Sequence, residues 1–201
     1  MSAKQLTPEQ VAARDARAAK TARLTAIIRP IPDPRYTIDV GFNDLERQLD
    51  AYARDFGLNL DPDFQRGHVW TDLQRIAYIE GFFRGTVGDS QRIIQFNAPH
   101  WKDDNHGGDL ANEIQIVDGL QRLTAIRMFM SGRLSAFGIR VDEFEDSSFN
   151  PRRQSYGLKF AMHAFTYRCD LLRYYLDINA GGTPHSRDEI DRVSSLLAEC
   201  S

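Results

Sequence analysis

Residues 114–126 read Ile-Gln-Ile-Val-Asp-Gly-Leu-Gln-Arg-Leu-Thr-Ala-Ile. The first four are apolar and β-branched apart from Gln115, as a buried strand requires. Asp118-Gly119 breaks that run, and a helical pattern begins at once with Gln121 and Arg122 in its first turn. The pattern continues to Met130, with Gly132 just past its end. A strand that passes through an acid–glycine turn straight into a helix points to a fold in which strands and helices pack as layers.

Outward from this unit, strand and helix signals alternate. Upstream, 92–97 and 113–117 are strand candidates separated by the polar loop 102–108. Thr71 and Gln74 form a capping box for a helix whose Leu73, Ile76, Ala77 and Phe83 fall near one face, with Gly85 after it. Asn43 and Glu46 form another box for a helix carrying Leu45, Leu49 and Tyr52, which Gly57 ends. Residues 36–40 alternate apolar and polar and suit a short strand, and 58–60 suit a brief one. Downstream, 134–141 and 156–165 are expected strands on either side of the acidic loop 142–146. Residues 171–178 fit helix or strand, and Ser186 with Glu189 caps a last helix through Ile190, Val193 and Leu197. There is no internal repeat. The expected class is α+β, one compact domain over 36–201 with a small mixed sheet flanked by helices.

Residues 1–35 differ in kind. Residues 1–29 hold six Lys and Arg against Glu9 and Asp15, a balance of +4. Thr7, Pro8 and Gln10 mark a helix start, and the Ala-rich run to about Ile28 favours helix by propensity. Its apolar residues are mostly Ala until Leu24, Ile27 and Ile28, so it is expected to project or dock loosely. Pro30, Pro32 and Pro34 end it and mark the one internal boundary. Arg14, Arg17, Lys20 and Arg23 could meet DNA phosphates, and the arm could meet a protein partner or a second copy.

Composition narrows the classes. Of 201 residues, 42% are hydrophobic and 26% charged, with 12 Phe and 7 Tyr, which excludes a disordered chain. No apolar run reaches the roughly 20 residues that span a bilayer, and the N-terminus lacks a signal-peptide core. Cys169 and Cys200 make neither a disulfide framework nor a metal site by spacing. A net charge of −3 gives no whole-molecule argument for nucleic acid, so that argument must be local.

Three segments could carry chemistry. An acid at a strand end, a glycine allowing close approach and free amides at a helix start make an anion site at Asp118 and Gly119. Arg122 adds a donor fork, and Asp118 could hold magnesium or orient a water. The competing reading is Asp118 as a plain cap with Arg122 solvated. Residues 61–70 (Asp-Pro-Asp-Phe-Gln-Arg-Gly-His-Val-Trp) repeat a Gln-Arg pair at Gln65 and Arg66. Trp70 there is either a stacking face for a base or a core anchor, and His68 is more ordinary as a loop or core histidine than as a general base. Asn179-Ala180-Gly181-Gly182-Thr183-Pro184 is either a phosphate-cradling bend or a simple turn.

Together, in this order, the three segments resemble the N-terminal domain of GmrS/GmrD-type restriction proteins, in the ParB/sulfiredoxin-like superfamily. The family pattern is a Pro-acid-x-Gln-Arg-x-x-x-Trp loop, then Asp-Gly-Gln-Gln-Arg-Leu-Thr, then Asn-x-Gly-Gly-Thr-Pro-Leu-Ser. The likeness runs from about Tyr36 to the C-terminus. It implies a ParB/sulfiredoxin-like fold and NTP binding with hydrolysis, linked to DNA restriction or phage counter-defence in the cytoplasm of a bacterial host. By motif match Asp118, Gln121 and Arg122 take the catalytic role, with Mg2+ at Asp118. Gln65, Arg66, Gly119, Thr124, Asn179, Gly181, Gly182 and Thr183 bind nucleotide and phosphate, and Trp70 stacks on the base. Leu120 replaces the first Gln of the central motif and His185 the usual Leu of the last. Leu120 is expected to turn into the core, which preserves binding and weakens the argument for hydrolysis. No His-Asn-His cluster follows, so the expectation is a short stand-alone or truncated form that is not by itself an HNH nuclease. The alternatives are a DNA-binding module of the same scaffold without catalysis and a non-catalytic partner or inhibitor protein.

Overall fold

A computed structural model describes residues 6–65, 67, 69–99, 107–153, 156–180 and 187–200. Among them are five strands: β1 (Tyr36–Gly41), β2 (Leu58–Asn59), β3 (Ile93–Asn97), β4 (Ile114–Asp118) and β5 (Gly157–His163). Seven helices accompany them: α1 (Pro8–Ile28), α2 (Leu45–Phe56), α3 (Asp72–Arg84), α4 (Asp89–Arg92), α5 (Leu120–Met130), α6 (Arg168–Ala180) and α7 (Arg187–Glu199). The class is α+β. The strands form one mixed sheet in the order β1-β5-β3-β4-β2. β1 runs antiparallel to β5 and β3 to β4, while β3–β5 and β2–β4 are parallel.

Strand alternation divides the side chains between two cores. Ile94, Phe96, Ile114, Ile116, Leu158, Phe160 and Met162 join Leu45, Leu49 and Tyr52 of α2, Ile79 and Phe82 of α3, and Leu123, Ile126 and Phe129 of α5. On the other face Val117 joins Phe64, Leu171, Leu172 and Tyr175, with Val193 of α7. β4 is buried on both faces, as its near-continuous apolar reading requires.

The chain divides into two units, Met1–Asp33 and Pro34–Ser201. In the first, α1 starts with the Thr7–Gln10 capping box, ends at Arg29 in a left-handed cap, and buries no residue. No described helix is long and apolar enough to cross a membrane.

Several expected elements take a different form. Residues 134–141 are not a strand. Phe137 and Gly138 both take positive φ (55° and 75°), and Ala136 and Ile139 exchange backbone bonds of 3.0 and 2.8 Å around them. The apolar alternation that suggested a strand is a tight turn whose two arms face each other, and a short 3-10 helix at Val141–Phe144 follows. α2 has no Asn43–Glu46 capping box. A 3-10 turn at Phe42–Asp44 leads into the helix, and the Leu45 amide already bonds the Phe42 carbonyl. The Thr71–Gln74 box and the left-handed Gly85 cap are present, but Leu73 is 79% exposed and Ala77 lies outside the core. The face of α3 is set instead by Ile79 and Phe82, with Ile76, Tyr78 and Phe83 packed beside them. Residues 171–178 are helical, within α6. Ser186, the expected cap of α7, lies outside the described residues; Glu189 accepts from the Tyr175 hydroxyl at 2.9 Å.

Candidate functional site

The site begins with a slip in register. Gln95 of β3 pairs with Asp118, but Phe96 pairs with Ile116, so Val117 is an extra residue in β4. Residues directly opposite share a face, so the bulge moves Asp118 from the face of Ile114 and Ile116 to that of Gln95. Strict alternation would have buried its carboxylate in the first core. Gly119 then turns the chain at φ 99° and serves as N-cap of α5, with no side chain capping the helix. A Cβ there would lie 2.6 Å from Ile94 Cδ1 and 3.2 Å from Ile94 Cα, so the turn needs glycine twice over.

Asp118 is therefore not the cap. It pairs with the Arg122 guanidinium one turn into α5, and Arg122 Nη1 also donates to the Ser90 carbonyl of α4 at 3.2 Å. The Arg122 side chain is 15% exposed and that of Asp118 36%, so neither is a freely solvated surface charge. The first turn of α5 holds no acid, so no carboxylate from that turn offsets the positive end of the helix beside Arg122.

These groups open into a cavity of about 270 Å³. The β4–α5 junction from Val117 to Arg122 forms one side. Trp70, Tyr78 and Gln91 form a second, and Gln65 with Tyr175, Ile178 and Asn179 of α6 a third. Trp70 meets Tyr78 edge to face, centroids 5.6 Å apart. The Tyr78 hydroxyl donates to the Gln91 carbonyl at 2.6 Å. Burial pushes that hydroxyl's pKa well above the ordinary tyrosine value, with Arg122 and Arg92 pulling it back. Behind Asp118 the Tyr174 hydroxyl contacts Gln95 Oε1 and lies 2.9 Å from His163 Nε2. Burial, aided by the charge of Asp118, raises the pKa of Tyr174 too, so both phenols stay protonated near neutral pH.

Gln121 is 7% exposed and is spoken for. Its Oε1 accepts from the amides of Val69 and Trp70, both at 3.2 Å, and its Nε2 donates to the Gly67 carbonyl at 2.9 Å. It ties the Trp70 loop to α5, and a water-orienting role would have to break those bonds. Gln121→Leu should strand these backbone groups and cost about 1–3 kcal/mol. Thermal unfolding of the variant checks this.

The structure thus brings Asp118, Gly119, Gln121, Arg122, Gln65, Trp70 and Asn179 to one cavity. Asn179 Nδ2 donates to the Tyr175 carbonyl at 2.7 Å. Thr124 is not with them. It lines a separate cavity of about 210 Å³ with Leu60, Asp61, Gly67, Leu120, Leu123 and Arg127, because two residues past Arg122 it points about 200° round α5 from it. Leu120 is 7% exposed and belongs to the first core, as expected for an apolar residue in that motif position. Arg66, Gly181, Gly182 and Thr183 lie outside the described residues. Arg14, Arg17, Lys20 and Arg23 are exposed on α1. Sequence reasoning missed Tyr78, Gln91, Tyr175 and Ile178. Tyr175 and Ile178 lie within four residues of Asn179, so a helical reading of 171–178 would have found them. Among the described residues no group of three or more His, Cys, Asp or Glu could hold a metal ion.

No curated protein and no solved structure matches the chain. A family model, described as GmrSD restriction endonuclease, N-terminal domain, matches residues 45–179. That span runs from the first residue of α2 through Asn179 and contains every described residue that lines the cavity. With two thirds of its length matched, the chain belongs to the GmrSD restriction endonuclease N-terminal domain family.

Proposed function

We propose that this domain binds a nucleoside triphosphate in the cavity at the end of β4 and hydrolyses it, in the service of a restriction or defence system. The family supplies the restriction-related role. The observation that carries the nucleotide reading is the bulge and left-handed glycine that take Asp118 and Arg122 out of the core and set them at the start of α5. A triphosphate would sit on the α5 amides, with Arg122 exchanging its bond to Asp118 for phosphate oxygens. Trp70 offers an aromatic face to the base, and Gln121 holds the loop that carries it.

Among the described residues lining the cavity Asp118 is the one carboxylate, which fits Mg2+ arriving with the phosphates and not a ready-made protein cage. Bound there, the ion would neutralise phosphate charge. Released from Arg122, Asp118 can accept a hydrogen bond from a water beside the phosphates. Phosphate release from ATP, GTP, CTP and UTP tests this. The unmutated protein should turn over at least one of them, and Asp118→Asn should be slower by about 100-fold or more. No release from any of the four would contradict hydrolysis.

A second reading, contact with DNA, rests on α1, where Arg14, Arg17, Lys20 and Arg23 stand on a helix that buries nothing. Duplex affinity should then fall steeply with salt and drop when residues 1–29 are removed. Salt-independent binding would contradict it.

A further inference from the structure

The turn that presents Gln65 to the cavity is held from a helix beyond the matched span. The Gln65 amide donates to the Pro62 carbonyl at 2.8 Å, closing a turn over 62–65. The carbonyls of Asp63, Phe64 and Gln65 all face one guanidinium, that of Arg192 on α7. Its Nη1 donates to Asp63, and its Nη2 lies 3.0 Å from the Phe64 oxygen and 3.3 Å from that of Gln65. Arg168 of α6 takes the Asp63 carboxylate at 2.6 Å. Beneath the turn Phe64, 1% exposed, packs edge to face on Tyr175, whose hydroxyl donates to Glu189 of α7.

Three neighbouring carbonyls aimed one way repel each other unless a donor gathers them. A planar fork with several N–H groups can do so, and a single ammonium cannot reproduce its geometry. The far end of the same loop is fixed by Gln121 on α5. The cavity loop is thus pinned at 63–65 from α7 and at Gly67, Val69 and Trp70 from α5.

We propose that Arg192 is a positioning residue for the cavity, and that α7 is through it a working part of the site. It does not line the cavity itself and acts through the 62–65 turn, whose Gln65 lines the cavity with Asp118 and Arg122. The consequence for ligand rests on the nucleotide reading above; the consequence for the loop does not.

The test uses the full chain with Arg192→Ala, Arg192→Lys and, as a control, Val193→Ala, which trims a fully buried side chain of α7 and leaves the Arg192 hydrogen bonds to the turn in place. Two quantities are measured: amide hydrogen exchange over 61–70 without nucleotide, and the dissociation constant of whichever nucleotide the unmutated protein binds. Arg192→Ala should speed exchange at Gln65 and weaken nucleotide binding, each by about tenfold or more, with β4 amides unchanged. Arg192→Lys should not restore either. Val193→Ala should lower the melting temperature yet leave both quantities in place. Unchanged exchange over 61–70 in Arg192→Ala would overturn the proposal, as would the same two changes in Val193→Ala. If the unmutated protein binds no nucleotide, the nucleotide reading fails, and the exchange measurement still decides whether Arg192 positions the turn.

Discussion

Arg122→Ala should abolish the thermal stabilisation that a nucleotide gives this domain. With magnesium and a nucleotide at about 100 times its dissociation constant, the unmutated protein gains about 2.7 kcal/mol. For a unit of this size that is a rise in melting temperature of about 5–11 °C. The variant should show none of it, because Arg122 is the one cation among the described residues lining the cavity. Without nucleotide the substitution should be mild. The Asp118 carboxylate left behind is 36% exposed and stays hydrated, so losing the pair with the 15%-exposed Arg122 side chain should cost about 1–2 kcal/mol. Melting with and without nucleotide separates the two effects. A variant that kept the nucleotide-dependent rise would place the phosphates elsewhere.

Gly119→Val should be the most damaging single substitution at the site. The backbone there sits at φ 99°, where a side chain costs about 1–2 kcal/mol in strain. The new Cβ would also press on Ile94, which is fully buried and whose Cα, only 3.2 Å away, belongs to the central strand. Overpacking of this kind adds about 1–3 kcal/mol. Together these lower the melting temperature by about 5–20 °C. Since the same turn aims Asp118 and starts α5, any folded variant should also lose nucleotide binding. A melting temperature within about 2 °C of the unmutated protein would show that the turn relaxes and that glycine is dispensable.

Much of this fold could be read from local chemistry. β3, β4, β5, α3 and α5 follow from apolar runs, capping residues and glycines that act within a few residues of themselves. The motif spacing likewise led to Asp118, Arg122, Gln65, Trp70 and Asn179. What could not be read depends on partners far along the chain. The direction of Asp118 is set by its register against Gln95, a strand away, and alternation alone points it into the core. Leu73 looked like a core residue because α3 has apolar residues on more than one side, and only packing against α5 and the sheet selects Ile79 and Phe82. The error at 134–141 came from Phe137, whose positive φ a sequence pattern does not announce. Thr124 belongs to the motif in sequence but to another wall in space, a matter of helical phase. The hold of Arg192 on 63–65 spans more than 120 residues, and an exposed arginine beside the apolar positions of α7 gives no local sign of it.

The most direct test of the account is a calorimetric titration of the full chain with ATP, GTP, CTP and UTP in magnesium, beside Arg122→Ala. The unmutated protein should bind at least one nucleotide saturably and one-to-one, and the variant none. No binding by the unmutated protein, or equal binding by both, would contradict it.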